Sequence, residues 1–313
     1  TTPVVASVTI NSTTAYYTSF ADAWTAANSA IAASTLTLLQ DVSGLSSTIT
    51  YSASHDLMLD LNGHTLSGSG TITSLFQIAC AGYTFTVTDG SANKEGSISF
   101  TATGSSNSYC MIVNNGTFVL DAGMLEASFS SSSGNIAAVQ VNSGGTFTMA
   151  DGTLHAKYTG NGSGKNSRAV HVSGGTATIN GGTILLESTK DGIGVVHSSG
   201  NVTVNGGRFK IIASGIAAVT NKNSAQTNLN IRGGYYSANN NTYLTPHVKT
   251  PYHIFANADA EYPQKVAEGY TVTFNNYDGT SLQSGLWEKG ATPLYSGETP
   301  AKAADAQYTY TFN

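Results

Sequence analysis

A short motif ending in glycine returns six times along this chain at nearly constant spacing, and no other feature limits its fold as much. The segments are 83–90 (YTFTVTDG), 116–123 (GTFVLDAG), 144–152 (GGTFTMADG), 174–182 (GGTATINGG), 199–207 (SGNVTVNGG) and 228–234 (NLNIRGG). Their closing glycines, 90, 123, 152, 182, 207 and 234, stand 33, 29, 30, 25 and 27 residues apart. Segment 57–64 (LMLDLNGH) is an earlier member with its turn shifted by one residue. Read backward from each glycine, the copies form columns. Three residues before it are Val87, Leu120, Met149, Ile179, Val204 and Ile231; five before it are Phe85, Phe118, Phe147, Ala177, Val202 and Leu229. Two after it come Leu125, Leu154, Ile184, Phe209 and Tyr236, with Thr, Asn or Gly mostly between. Apolar residues at every second position place one face of a strand inward.

A half-buried strand that recurs every ~28 residues, with no helical pattern between copies, must stack on its own repeats. A βαβ unit would need a helix in each interval. The pattern therefore predicts an all-β chain: a right-handed, single-stranded parallel β-helix (solenoid) of about seven coils, stacked about 4.8 Å apart. Asn-Gly, Asp-Gly and Gly-Gly pairs supply the corners.

An open solenoid end exposes apolar interior and unpaired backbone, so a lid is expected. Residues 19–33 (SFADAWTAANSAIAA) predict an N-terminal helical cap. Ser19 and Asp22 resemble a capping box, and Phe20, Ala23, Trp24, Ala27 and Ile31 fall on one face. Residues 4–18 read as a leading hairpin and 36–39 as the first strand. The repeat ends after Tyr236, and Pro246, Pro251 and Pro263 then mark a closing segment. From Tyr270 an alternating strand, an Asp278-Gly279 turn and a second strand predict a hairpin, with a last strand at 308–312. The expected organisation is 1–45 N-terminal strand and helix cap, 46–236 coils, 237–269 C-terminal cap or linker, and 270–313 a small C-terminal β module.

Only 10% of residues are charged and the net charge is −5, so nothing offers the clustered cations that nucleic acid requires. No apolar run is long enough for a membrane span, and no membrane insertion is expected in this segment. Thr1 reads as a mature end. Low charge with abundant Thr, Ser, Asn and Tyr suits an extracellular or bacterial cell-surface location. Cys80 and Cys110 are 30 residues apart, near one repeat; two buried thiols and a disulfide are both compatible with that spacing.

Two resemblances follow from particular segments. VTINSTTAYYTSFADAWTAA, LTLLQDV and LDLNGHTLSG, sharpest over residues 7–68 and extending in pattern over 4–236, resemble pectate-lyase-like β-helix proteins of bacterial surfaces. That resemblance implies an exported, adhesin-like or glycan-handling protein but no particular activity. In the tail, VTFNNYDGTSL and TPAKAADAQYTYTF are similar to the β-grasp-like internalin B repeat, a spacer between an adhesive head and a wall anchor. The Gly-Trp that usually follows is missing, so the repeat reads as cut short.

For chemistry, polysaccharide lyases of this fold hold Ca²⁺ on acidic clusters and use Arg or Lys as base, and glycosidases pair carboxylates. The sharpest mixed-charge group is Glu187, Lys190 and Asp191, with Lys165 and Arg168 a coil earlier and Arg208 and Lys210 a coil later. These residues lie in Gly/Lys/Asn-rich stretches where charges are ordinarily solvated. Asp89, Asp121 and Asp151 read as turn residues that satisfy local backbone. His171 and His197 fall at nearly equivalent positions, with Gln140 a coil before, as an outward polar ladder; His155 extends that group toward metal binding. Tyr158 and Tyr235 are expected to offer ring faces to sugar, while Tyr243 and Tyr252 divide between that role and cap packing. No serine-nucleophile elbow is present, and GSGKNS at 162–167 lacks the context of a phosphate loop. The functional expectation is a non-enzymatic, adhesin-like module that binds a polysaccharide or a host or cell-surface protein along its flank. A lyase or hydrolase of acidic polysaccharide, and a structural spacer, are the alternatives. Ca²⁺ is the only cofactor the pattern leaves room for, and no metal ligands are assigned.

Overall fold

The computed structural model describes residues 2–104, 107–130, 136–160, 166–220, 228–237 and 241–300. It is a β-solenoid of about six turns, one fewer than the repeat count suggests. Each turn has three strands, and equivalent strands pair in parallel with the turn before and after. Face I consists of Ile49–Tyr51, Ile136–Asn142, Ala217–Thr220 and the first halves of Ser74–Thr88, Ser108–Leu120, Asn166–Ile179 and Asp191–Val204. Face II consists of Ser34–Leu38, Leu57–Asp60, Gly145–Met149, Leu229–Ile231 and the second halves of those four long strands. Face III runs from Val42–Leu45 through Thr65–Gly70, Ser97–Ala102, Met124–Phe129, Thr153–Tyr158, Thr183–Ser188 and Arg208–Ala213 to Tyr235–Tyr236.

The columns legible in the sequence are ladders inside this stack. Phe85, Phe118, Phe147, Ala177, Val202 and Leu229 pair in register on face II, all 0% exposed. The rings of Phe85 and Phe118 stack at 6.1 Å, and those of Phe118 and Phe147 at 5.4 Å. On face III, Leu125, Leu154, Ile184, Phe209 and Tyr236 form the matching ladder. The corner between faces II and III requires glycine for two reasons. Gly152 and Gly182 hold φ of 84° and 76°, in the left-handed region that side chains disfavour. A Cβ on Gly152 would also lie 2.6 Å from the carbonyl of Gly123, and one on Gly182 would lie 2.5 Å from that of Gly152. Coils stacked this closely leave no room for a side chain at the corner.

Before the coils, Ala6–Ile10 and Thr13–Tyr17 form the expected hairpin, and Ala6–Ile10 pairs antiparallel with Ser34–Leu38. The helix spans Phe20–Asn28 and buries Phe20, Ala23, Trp24 and Ala27; Trp24 meets Phe76 and Phe85 edge-on at 5.7 Å each. It is shorter than 19–33, and Ile31 is 99% exposed. The cause is local. Ser29 N–H donates to the Thr25 carbonyl, while Ser34 Oγ and His55 Nε2 donate to that of Ala27, so side chains take over the last turn's carbonyls.

After the coils, Gln264–Asn275 runs antiparallel to Tyr235–Tyr236 and Tyr252–Ala256, then continues as one arm of a hairpin with Ser281–Glu288. The expected strand at 308–312 lies outside the described residues. Cys80 and Cys110 are free thiols. Register separates them, because Tyr109 pairs with Ser74 and Met111 with Phe76, leaving Cys80 farther along its strand.

Candidate functional site

Face I departs from the two-residue alternation of the other faces. Cys110, Met111 and Val113 belong to the main core, whereas Tyr109, Ile112 and Ala137 form a separate apolar cluster outside it. In the next turns Ala138 with Val139, and Ala169 with Val170, likewise point inward as adjacent pairs. Two consecutive inward residues leave their flanking neighbours, three apart, emerging on the same side. Tyr109, Ala137, Arg168 and Ile193 therefore form one outer column, and Ile112, Gln140, His171 and Val196 the next.

This arrangement brings Arg168 and His171 together. Gln140 Nε2 donates to Asn142 Oδ1 and to Ser173 Oγ, 2.8 Å each. Its Oε1 therefore accepts from His171 Nδ1 at 2.7 Å, and Ser198 Oγ donates to Nε2 at 2.9 Å. With a proton fixed on Nδ1, the Arg168 Nη1 that lies 3.2 Å from it faces a hydrogen rather than a lone pair. The Arg168 Nε is buried without a partner. Burial, and then the Arg168 charge, hold the His171 imidazole down at about 4, so the ring is neutral near pH 7. Burial likewise lowers Arg168, against the opposing influence of Tyr109.

The expected histidine ladder does not form. His171 pairs with Gln140 and Val196, while His197 pairs with Val172, is 3% exposed, and donates through Nε2 to the Gly200 carbonyl at 2.9 Å. The inward pair Ala169-Val170 shifts the alternation between the two turns, a change that sequence spacing alone does not display. Gln140, by contrast, sits where the spacing put it.

The mixed-charge group is dispersed. Glu187 lies on face III beside His155 and Lys157, at 4.0 and 3.8 Å, and Glu126 approaches the other side of His155 at 3.8 Å. Lys190 and Asp191 form the corner into face I; Asp191 Oδ1 accepts from Ile216 N–H at 2.7 Å, and the Lys190 carbonyl accepts from Gly215. Arg168 is on face I, and Lys165 lies outside the described residues. Among the described residues, no group of three or more His, Cys, Asp or Glu is placed to hold a metal ion. Asp89 is fully buried and is a turn residue: its carboxylate accepts from the amides of Gly63, Ser91 and Gly96. Burial pushes its pKa up, but those donors outweigh burial and hold it below the usual range.

Tyr158 is 2% exposed, its ring drawn inward at the end of a face III strand, so it offers no surface for stacking. Tyr235 is 40% exposed and borders a groove of about 260 Å³ lined by Asp151, Gly181, Gly182, Thr183, Gly207 and Arg208. The stacked corner glycines give that groove a floor without side chains. Arg208 pairs in register with Tyr235, and its guanidinium lies 5.3 Å from the Tyr235 ring and 5.1 Å from that of Tyr262. Arg208 Nη1 donates to Asp259 at 3.4 Å. Two rings and a carboxylate thus fix the arginine at the groove's end. A larger hollow of about 650 Å³, lined by Thr245, Tyr252, His253, Phe255 and neighbours, has no charged side chain among its lining residues.

Among the described residues no helix is long and apolar enough to cross a membrane. The chain matches no known protein family, no curated protein and no solved structure.

Proposed function

We propose that this chain is a non-enzymatic, secreted or cell-surface module that binds glycan in the groove at Tyr235. The observation that carries the reading is the joining of an exposed tyrosine, a pinned arginine and Asp151 around a flat floor of stacked glycines. An aromatic face takes the C–H side of a sugar ring, and Arg and Asp bond its hydroxyls with defined geometry. Pre-organised side chains lose little entropy on binding. The reading extends to a right-handed solenoid, to the Phe20–Asn28 helix as its lid, and to the terminal hairpin as the start of a β-grasp-like surface repeat. The motif resemblances and the low charge support this extracellular setting. The acid–base alternative has less support, since Arg168 and Glu187 occupy different faces.

The test is an oligosaccharide array followed by calorimetry on the full chain. Tyr235→Ala is expected to lower affinity for the bound glycan about tenfold or more, the loss of a stacking contact of 1–2 kcal/mol. An array without a hit, or a Tyr235→Ala variant that binds like the parent, would remove the proposal. Release of unsaturated or reducing-end products would replace binding with catalysis.

A further inference from the structure

Arg168 combines features that no structural role in the solenoid explains. It is part-buried, its Nε has no hydrogen-bond partner, and its Nη1 is turned toward the protonated nitrogen of His171. Among the described residues no carboxylate forms an ion pair with it. The remaining internal segments cannot supply one, for 105–106, 131–135, 161–165, 221–227 and 238–240 contain neither Asp nor Glu. A guanidinium withdrawn from water without an anion is costly to a fold, and a fork of N–H donors matches a carboxylate in two-point geometry.

Its neighbours narrow the anion's identity. Ala137, the residue between Arg168 and Tyr109 in the outer column, is small. Tyr109, Ile112 and Ala137 together form an apolar shelf beside the guanidinium. On the other side runs the polar row of Gln140, His171 and Ser198. A shelf for C–H groups, a cation for a carboxylate and a hydroxyl-bearing row correspond to the three kinds of surface on a uronic acid.

We infer that the outer side of face I, at Arg168, is a binding site for the carboxylate of an acidic sugar. This site is on a different flank from the Tyr235 groove and does not require that groove to bind anything. Binding needs no covalent step: the carboxylate displaces water and takes the Nε and Nη1 hydrogens.

The test follows the Arg168 side-chain Nε–Hε NMR signal of the full chain, assigned by its loss in Arg168→Met. The additions are sodium acetate, trigalacturonate and the methyl-esterified trimer. Trigalacturonate is expected to shift the signal saturably at a concentration at least about tenfold below acetate, because ring contacts add to the charge contact. The esterified trimer should leave it in place. Arg168→Met should abolish trigalacturonate binding in calorimetry and melt no lower than the parent, since it removes an uncompensated charge. Arg168→Lys, which keeps the charge but loses the fork, should bind at least about tenfold more weakly. A signal unmoved by trigalacturonate would overturn the inference, and so would a shift no stronger with trigalacturonate than with acetate. A Met variant that melts several degrees lower yet binds unchanged would assign Arg168 to structure instead. If Tyr235→Ala leaves the trigalacturonate response intact while the array is blank, the groove proposal falls and this one stands.

Discussion

Faces I and II belong to the same turns and share four continuous strands, yet they are built differently. Face II alternates strictly, and each inward position continues as a ladder of like residues through every coil. Face I turns two adjacent residues inward, and the displaced neighbours emerge three apart on the outside. Regular alternation gives uniform packing and leaves the outer surface to Thr and Asn. The irregular face loses some of that uniformity and gains an outer surface on which Arg168, His171, Gln140 and Tyr109 converge. In this molecule the departure from the repeat is where unusual chemistry collects, as expected where local regularity yields to a site.

That contrast can be pressed from both sides. The largest effect is expected at the centre of the regular face. Phe118→Ala, which opens a gap between two stacked rings, should cost about 3–5 kcal/mol in urea unfolding. A loss under about 1 kcal/mol would show that the ladder tolerates interruption. At the corner leaving face II, Asp89→Ala strips three buried amides of their acceptor and should cost about 3 kcal/mol. Asp89→Asn, which retains one oxygen, should recover part of that loss. Smaller again is the response of face I to acid. Folding holds His171 at about 4 against an ordinary 6.5, so between those values the unfolded chain takes up a proton that the folded chain refuses. Stability is therefore full above pH 6.5 and declines as the pH falls toward 4. The decline is on the order of 1 kcal/mol for a ring partly open to screening solvent, and His171→Gln should flatten that portion of the parent's pH–melting curve. Least of all, Tyr235→Ala should alter stability by no more than about 0.5 kcal/mol, separating a surface binding role from the packing role of its register neighbours.

Faces II and III were legible in the sequence because their inward residues keep a fixed offset from the turn glycine, so Phe85, Phe118 and Phe147 align without any structure. The hairpins at both ends were equally plain. Face I was not legible in this way: it has no glycine at a constant offset, and Ala169-Val170 reads as ordinary apolar sequence. The error over His197 follows directly from that double inward step. Tyr158 and Tyr235 illustrate a second limit. Both are tyrosines on face III strands, and only their position along the strand determines that one ring is inside and the other outside. Arg168 and Gln140 were visible as residues of interest, but the proton assignment on His171 that leaves Arg168 without an acceptor depends on side-chain geometry.

The strand Gln264–Asn275 belongs to two sheets at once: it closes the last turns of face III and continues, unbroken, into the terminal hairpin. Lys265 and Glu288, 2.5 Å apart, and Lys289 and Glu268, 2.7 Å apart, brace the crossing point. A joint made from one strand has no swivel. A Gly/Ser tether lets its two ends explore all bearings and gives up that freedom only on binding, whereas this joint has surrendered it during folding. Whatever the hairpin leads to is held at a set bearing from the solenoid, so a ligand on the flank and an attachment beyond the hairpin are related by a fixed angle rather than by an average over many.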